Sequence, residues 1–273
     1  MNRVQLWLSS IALITLTAVA GAQTVIYSTS FEPPTFSLGD IIGQDSWEAG
    51  SLGGANQSIS GAFARTGSQS LFWDNTPPDA QGYYSVYRAF DGQAGAITPA
   101  TPLEASVWIY ISPGTSADRT YGIYLTNLDT GTLADTVLGA SFSGSGELRA
   151  GVTWSETYLD DAVDYSNPSL VGTWVRIALR YNGTGGSVTI FDSNNNPLFT
   201  ETYSTVALAS ANGTLPNSWN VNLGSDYVGI SPRVSPGTGY MDDLRVVIVP
   251  EPASLLALGA GLAGLIGLRR RKK

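Results

Sequence analysis

Any acid–base or metal chemistry in this chain falls first to its carboxylates, for it holds 22 acidic residues, no histidine and no cysteine. A Ser-His-Asp triad, a thiolate nucleophile and a His/Cys zinc site are excluded outright. Glycoside hydrolysis survives, because it needs only two carboxyl groups flanking the scissile bond. The densest acidic run is Glu156-Thr157-Tyr158-Leu159-Asp160-Asp161, followed by Asp164. Its spacing does not set alternate carboxylates on one face of a strand, so a solvated loop is expected there. No catalytic residues are predicted, and the chain reads as a non-enzyme.

Sugar binding draws on different residues. A sugar ring presents C–H groups on one face and hydroxyls at its rim, which suits aromatic faces beside polar side chains. Trp108, Tyr110, Tyr124, Trp154 and Trp174 are the candidates, with Arg176 and Arg180 at alternating positions after Trp174. The competing expectation for large aromatics is that they fill the core or cover a sheet edge.

The elements that must position these residues are strands. Between Gln23 and Val249 no stretch sustains a helical period. Short runs of period two are broken instead by Gly, Pro, Asn and Asp. Such runs are Thr24–Ser28, Tyr83–Phe90, Leu103–Ile111, Tyr121–Asn127, Val137–Phe142, Leu148–Thr153, Trp174–Tyr181, Ser187–Asp192, Leu198–Tyr203, Asp226–Ile230 and Tyr240–Ile248. With no helices between them, the predicted class is all-β, two packed antiparallel sheets. In 103–111, Val107, Ile109 and Ile111 share one face, and Ser106, Trp108 and Tyr110 share the other. In 174–181, Val175, Ile177, Leu179 and Tyr181 oppose Trp174, Arg176, Ala178 and Arg180. The aliphatic sets are predicted core.

Both chain ends read as addresses. Residues 1–22 predict a signal helix, with Arg3, an apolar stretch and the cleavage residues Ala20 and Ala22 before Gln23. Passage through the Sec translocon follows. Residues 249–273 form a second such segment, opened by Pro250-Glu251-Pro252. The apolar run 253–268 predicts a transmembrane helix, and Arg269, Arg270, Arg271, Lys272 and Lys273 close the chain. Sixteen residues at ~1.5 Å each make a helix of roughly 24 Å, short against a ~30 Å hydrocarbon core. The basic cluster stops transfer and keeps the preceding body outside. Residues 23–249 hold eight arginines and no lysine against 21 acids, a net charge of −13. A body of that charge repels the phosphate backbone, which argues against nucleic acid as a partner.

The Pro-Glu-Pro triplet, apolar helix and terminal basic cluster together resemble the PEP-CTERM sorting signal of Gram-negative bacteria. The resemblance covers about 25 residues and implies recognition of Pro250, Glu251 and Pro252 by an exosortase-type membrane enzyme. It further implies transient anchoring in the inner membrane, then delivery to the cell surface or extracellular matrix. In the body, Ser30-Phe31-Glu32, Gly43-Gln44-Asp45-Ser46-Trp47 and Ala64-Arg65-Thr66-Gly67-Ser68-Gln69-Ser70-Leu71 resemble segments of concanavalin A-like (laminin-G-like) jelly rolls and related carbohydrate-binding modules. So do Gly172–Ala178 and Tyr240–Val246. That resemblance implies a jelly-roll sandwich over 23–248 and exopolysaccharide as a partner. It also implies a structural calcium tying first strand to last through Glu32 and Asp243, with Asp242 as the alternate. A purely structural matrix protein without a ligand is the rival expectation, and a glycosidase ranks third.

Overall fold

The computed structural model describes residues 23–50, 57–75, 84–90, 97–126, 136–151, 163–204, 219–227 and 236–249. The signal helix, the transmembrane helix over 253–268, the Pro-Glu-Pro triplet and the basic tail lie outside them, as do Trp154, Glu156, Asp160 and Asp161. Among the described residues no helix is long and apolar enough to cross a membrane. Thr24–Ile248 forms one compact unit.

That unit is two antiparallel sheets. The first contains β1 (Thr24–Thr29), β2 (Gly39–Asp40), β4 (Gln57–Ser60), β5 (Ser70–Asp74), β7 (Leu103–Ile111), β12 (Trp174–Tyr181), β13 (Gly186–Phe191), β14 (Pro197–Tyr203) and β16 (Thr238–Ile248). Its order is β14-β13-β12-β7-β16-β5-β4-β2, with β1 also paired to β16. The second holds β3 (Glu48–Ala49), β6 (Tyr84–Ala89), β8 (Arg119–Thr126), β9 (Thr136–Ser143), β10 (Glu147–Gly151), β11 (Tyr165–Ser166) and β15 (Asn220–Tyr227). Its order is β11-β10-β9-β8-β15-β6-β3.

Alternation puts the apolar faces of the two sheets together. Val107, Ile109, Val175, Ile177 and Leu179 from the first meet Tyr121, Ile123, Leu125, Leu138 and Phe142 from the second in one buried cluster. The same alternation turns Trp108, Tyr110, Trp174 and Arg176 outward, in register: Trp174 opposite Tyr110, Arg176 opposite Trp108. The last strand pairs with the first, Leu244 opposite Thr29 and Ile248 opposite Thr24.

The penultimate strand runs Asn220–Tyr227, earlier than the expected 226–230. Its core positions Val221 and Leu223 alternate with Asn220, Asn222 and Gly224, residues of low β-propensity that mask the pattern. The strands β4 and β5 fall where the apolar alternation is too short to register.

Candidate functional site

The segment 61–69, between β4 and β5, lies across the outward row of the first sheet. Phe63 packs on Tyr110, Trp174 and Tyr240 at ring-centroid separations of 4.5, 5.6 and 5.3 Å, and its plane is within 4° of that of Trp174. Phe72 extends the cluster, 4.8 Å from Tyr240. The Arg65 guanidinium lies 3.6 Å above the Trp108 ring. These aromatics are not needed for the core, which lies on the opposite face of the sheet. Phe63 is 37% exposed, while Tyr110, Trp174, Tyr240 and Phe72 are half-buried.

Three predicted sugar-stacking residues therefore come together, though not as a bare row. Trp108 is buried beneath Arg65, Tyr110 and Trp174 are half-buried against Phe63, and Phe63 is the most exposed ring of the group. Phe63 escaped sequence reasoning because a lone Phe in a Gly/Ala/Ser segment has no periodic partner. Tyr124 lies apart on the second sheet and is 1% exposed. A Cβ at Gly139 would collide with its ring, and one at Gly122 would come 2.7 Å from its hydroxyl and collide with the Ala140 carbonyl. Glycine at both positions thus lets that ring lie flat against the sheet, a packing role.

Carboxylates pin the 61–69 segment. Both Asp242 oxygens accept backbone N–H bonds, Oδ2 from Arg65 and Thr66 at 2.8 and 3.0 Å, and Oδ1 from Asp243 at 2.7 Å. Asp243 accepts from the Arg65 guanidinium at 2.7 Å and from the Thr66 hydroxyl at 2.6 Å. Glu32 accepts from the Ser68 and Gln69 N–H groups and from the Ser68 hydroxyl at 2.6–2.7 Å. A bulge in β16 between Asp242 and Arg245, with Asp243 at φ 49°, lets two consecutive acids reach the same segment. Burial pushes the Asp242 carboxyl up to about 7, against the Thr66 N–H, which pulls it down, and with the Asp243 charge, which raises it further.

These are the residues proposed to hold calcium. All six of their carboxylate oxygens have hydrogen-bond donors from the chain, and the Arg65 guanidinium supplies the positive charge. A calcium ion takes six to eight oxygens and would have to displace those donors. Among the described residues no group of three or more acids is placed to hold a metal ion. Adding EDTA is therefore expected to leave the thermal unfolding midpoint unchanged; a drop of several degrees would restore the ion. Asp164, the described member of the acidic run, accepts from the Ala150 N–H at 2.7 Å and ties the chain to β10.

A family model described as the PEP-CTERM protein-sorting motif matches residues 249–272. No curated protein matches this chain. Among solved structures, the CBM2 module of the evolved Dit of Lactobacillus casei BL23 phage J-1 is similar with TM-score 0.53 and 10% identity, over 84% of this chain and 97% of that one. Arcelin-5, a lectin-like defence protein from Phaseolus vulgaris, gives 0.50 and 8%, over 82% and 98%. The marine PL-14 alginate lyase from Aplysia kurodai gives 0.50 and 12%, over 82% and 99%. At such identities the likeness is one of fold, and it takes in binding modules and an enzyme alike. With the sorting motif at its C-terminal end and two antiparallel sheets before it, the chain is an exported protein bearing a PEP-CTERM sorting signal.

Proposed function

We propose that the body is a non-catalytic polysaccharide-binding module that the C-terminal signal delivers to the cell surface or extracellular matrix. The observation that carries this reading is the surface cluster of Phe63, Trp174, Tyr110 and Tyr240 on the outward face of the first sheet. The rings pack on one another and against the pinned segment that carries Phe63, so little side-chain entropy is lost when a sugar ring settles on them. Tyrosine hydroxyls at the rim supply hydrogen bonds that a purely apolar patch lacks. The absence of histidine and cysteine and the lack of an alternating carboxylate strand favour binding over turnover.

A glycan array probed with the full-length protein tests this. Binding to at least one polysaccharide is expected, with no release of reducing ends on incubation. Phe63→Ala and Trp174→Ala are expected to weaken it about tenfold each, the ~1.4 kcal/mol equivalent of one ring contact. Undiminished binding by both variants, with native far-UV circular dichroism and an unchanged thermal midpoint, rules the cluster out. An array without any signal would favour the rival reading of a structural matrix protein.

A further inference from the structure

The aromatic row has a basic neighbour on the same face. One step along the strands, the outward residues are Phe191, Arg176, Trp108 and Asp242, in register from β13 to β16. The next step brings Thr189, Ala178, Ser106 and Arg245 side by side. Of the eight arginines in residues 23–249, four stand here: Arg65, Arg176, Arg180 and Arg245. Elsewhere Arg88 and Arg149 pair with Asp45 and Glu147.

Two of the acids on this face are already committed, and the third, Glu104, acts on Arg176 as well. Asp243 pairs with Arg65, Asp242 accepts three backbone N–H bonds, and Glu104 stands opposite Arg180 in the ladder. Arg176 and Arg245 remain. Arg176 lies flat on the Phe191 ring at 4.0 Å, and its buried Nε finds no hydrogen-bond partner. Burial first, then the like charges of Arg65 and Arg245, lowers its pKa against the pull of Glu104. Arg245 is exposed. Beside the two arginines the sheet carries the small side chains of Ser106 and Ala178, a shallow floor two strands or about 10 Å wide, bounded along β7 by Trp108 on one side and Glu104 on the other.

We infer that this floor binds the anionic groups of an acidic polysaccharide, the carboxylates of uronic acids or sulfate esters, while the adjacent aromatic row seats the sugar rings. The inference rests on the reading of that row given above. An anion on the floor meets Arg176, Arg245 and the Ser106 hydroxyl and relieves the crowding of like charges. The hydroxyls of Thr189 and Thr200, 2.9 Å apart, continue the polar surface outward. The net charge of −13 opposes any polyanion at long range, so an acidic saccharide is held only at contact, where the arginines of this face lie within the ~8–10 Å over which charges act at physiological salt.

The test uses the full-length chain in detergent, with Arg269, Arg270, Arg271, Lys272 and Lys273 changed to glutamine in every sample so that the tail cannot capture polyanions. Binding to polygalacturonate, dextran sulfate and neutral dextran is compared by affinity electrophoresis at two salt concentrations. The two polyanions are expected to bind more tightly than dextran and to weaken with salt, and their ranking separates carboxylate from sulfate. The R176Q/R245Q change is expected to weaken polyanion binding at least tenfold with dextran binding and near-UV circular dichroism unaltered. Should that variant not fold, R245Q alone, at an exposed position, is expected to give several-fold weakening. Equal affinity of the arginine variants and the parent for polyanions overturns the inference, and so does no preference over dextran; in that second case the aromatic row stands. Polyanion binding that survives W174A and F63A but not R176Q/R245Q supports the anion site and overturns the aromatic row instead. Low-salt self-association lost in R176Q/R245Q, without polysaccharide binding, assigns the floor to a second copy and also overturns it.

Discussion

Changing Pro250, Glu251 and Pro252 to alanine is expected to leave the full-length chain in the membrane, with release of processed protein reduced at least tenfold. Residues 249–272 match the sorting motif that exosortase processing recognises, and the triplet lies at its mouth. Proline chemistry disfavours helix at this segment and at the residue before each ring, so an extended triplet open to an enzyme cleft is expected ahead of the predicted helix. Alanine removes the recognised side chains and reverses the backbone preference at once. Residues 250–268 would then form one continuous apolar helix of about 28 Å, a closer match to the ~30 Å hydrocarbon core than the parent segment. The variant is thus both unrecognised and better anchored. Immunoblots of membrane and released fractions decide the matter, and normal release would show that recognition lies elsewhere in the tail. A Glu251→Gln change, which keeps both prolines, separates the carboxylate's role from the backbone's.

The second large effect concerns Asp242. Its replacement by alanine is expected to cost about 1–3 kcal/mol, because three backbone N–H groups lose a fully buried acceptor and the exposed Thr66 can turn its N–H to water. The segment 61–69 should loosen in consequence and Phe63 leave the aromatic row. Denaturant melts measure the first effect, and amide exchange at Arg65 and Thr66 the second. Unchanged protection there would show that Phe63 and Arg65 suffice to hold the segment.

The same carboxylate gives stability a pH dependence. Asp242 keeps its proton up to about 7 in the folded chain, against an ordinary value of 3.8. Between these values the folded state binds more protons than the unfolded one, so its contribution falls as pH rises from about 4 to about 7. Glu32 works in the opposite direction. Desolvation raises its pKa, but the Ser68 hydroxyl and the N–H groups of Gln69 and Ser68 outweigh it and hold the carboxyl below 4.5. The stability it supplies is present above that value and is lost as pH falls through its folded-state pKa. From these two groups the thermal midpoint is expected to peak near pH 4, where the gain from Glu32 gives way to the loss from Asp242, and to be lower at pH 3 and pH 8. In the Asp242→Asn variant the decline on the alkaline side should vanish.

How far these residues were legible in the sequence depended on the range of the interactions that place them. Trp108, Tyr110, Trp174 and Arg176 could be assigned to outward faces, because the parity of a strand is a local property. That they form one row could not, since it requires the register of β7 against β12 and of β16 against β7. Phe63 and Arg65 were invisible for the same reason. Their positions depend on Asp242 and Asp243, nearly 180 residues later in the chain. Glu32 and Asp243 were expected to be ligands to one ion because the jelly-roll resemblance implies a calcium between first and last strands. In the fold both turn to the segment 61–69 and spend their oxygens on it.

The amino-acid sequence by itself determined the chemistry that was barred, the all-β class, the buried faces of the long strands and the sorting signal. Each of these is set by composition or by neighbours a few residues apart. Only the tertiary structure decided which aromatics share a surface, which carboxylates are already occupied and that four arginines gather on one face of an acidic body. Those outcomes are set by strand order, register and one bulge in β16, which bring together residues that sequence spacing keeps far apart.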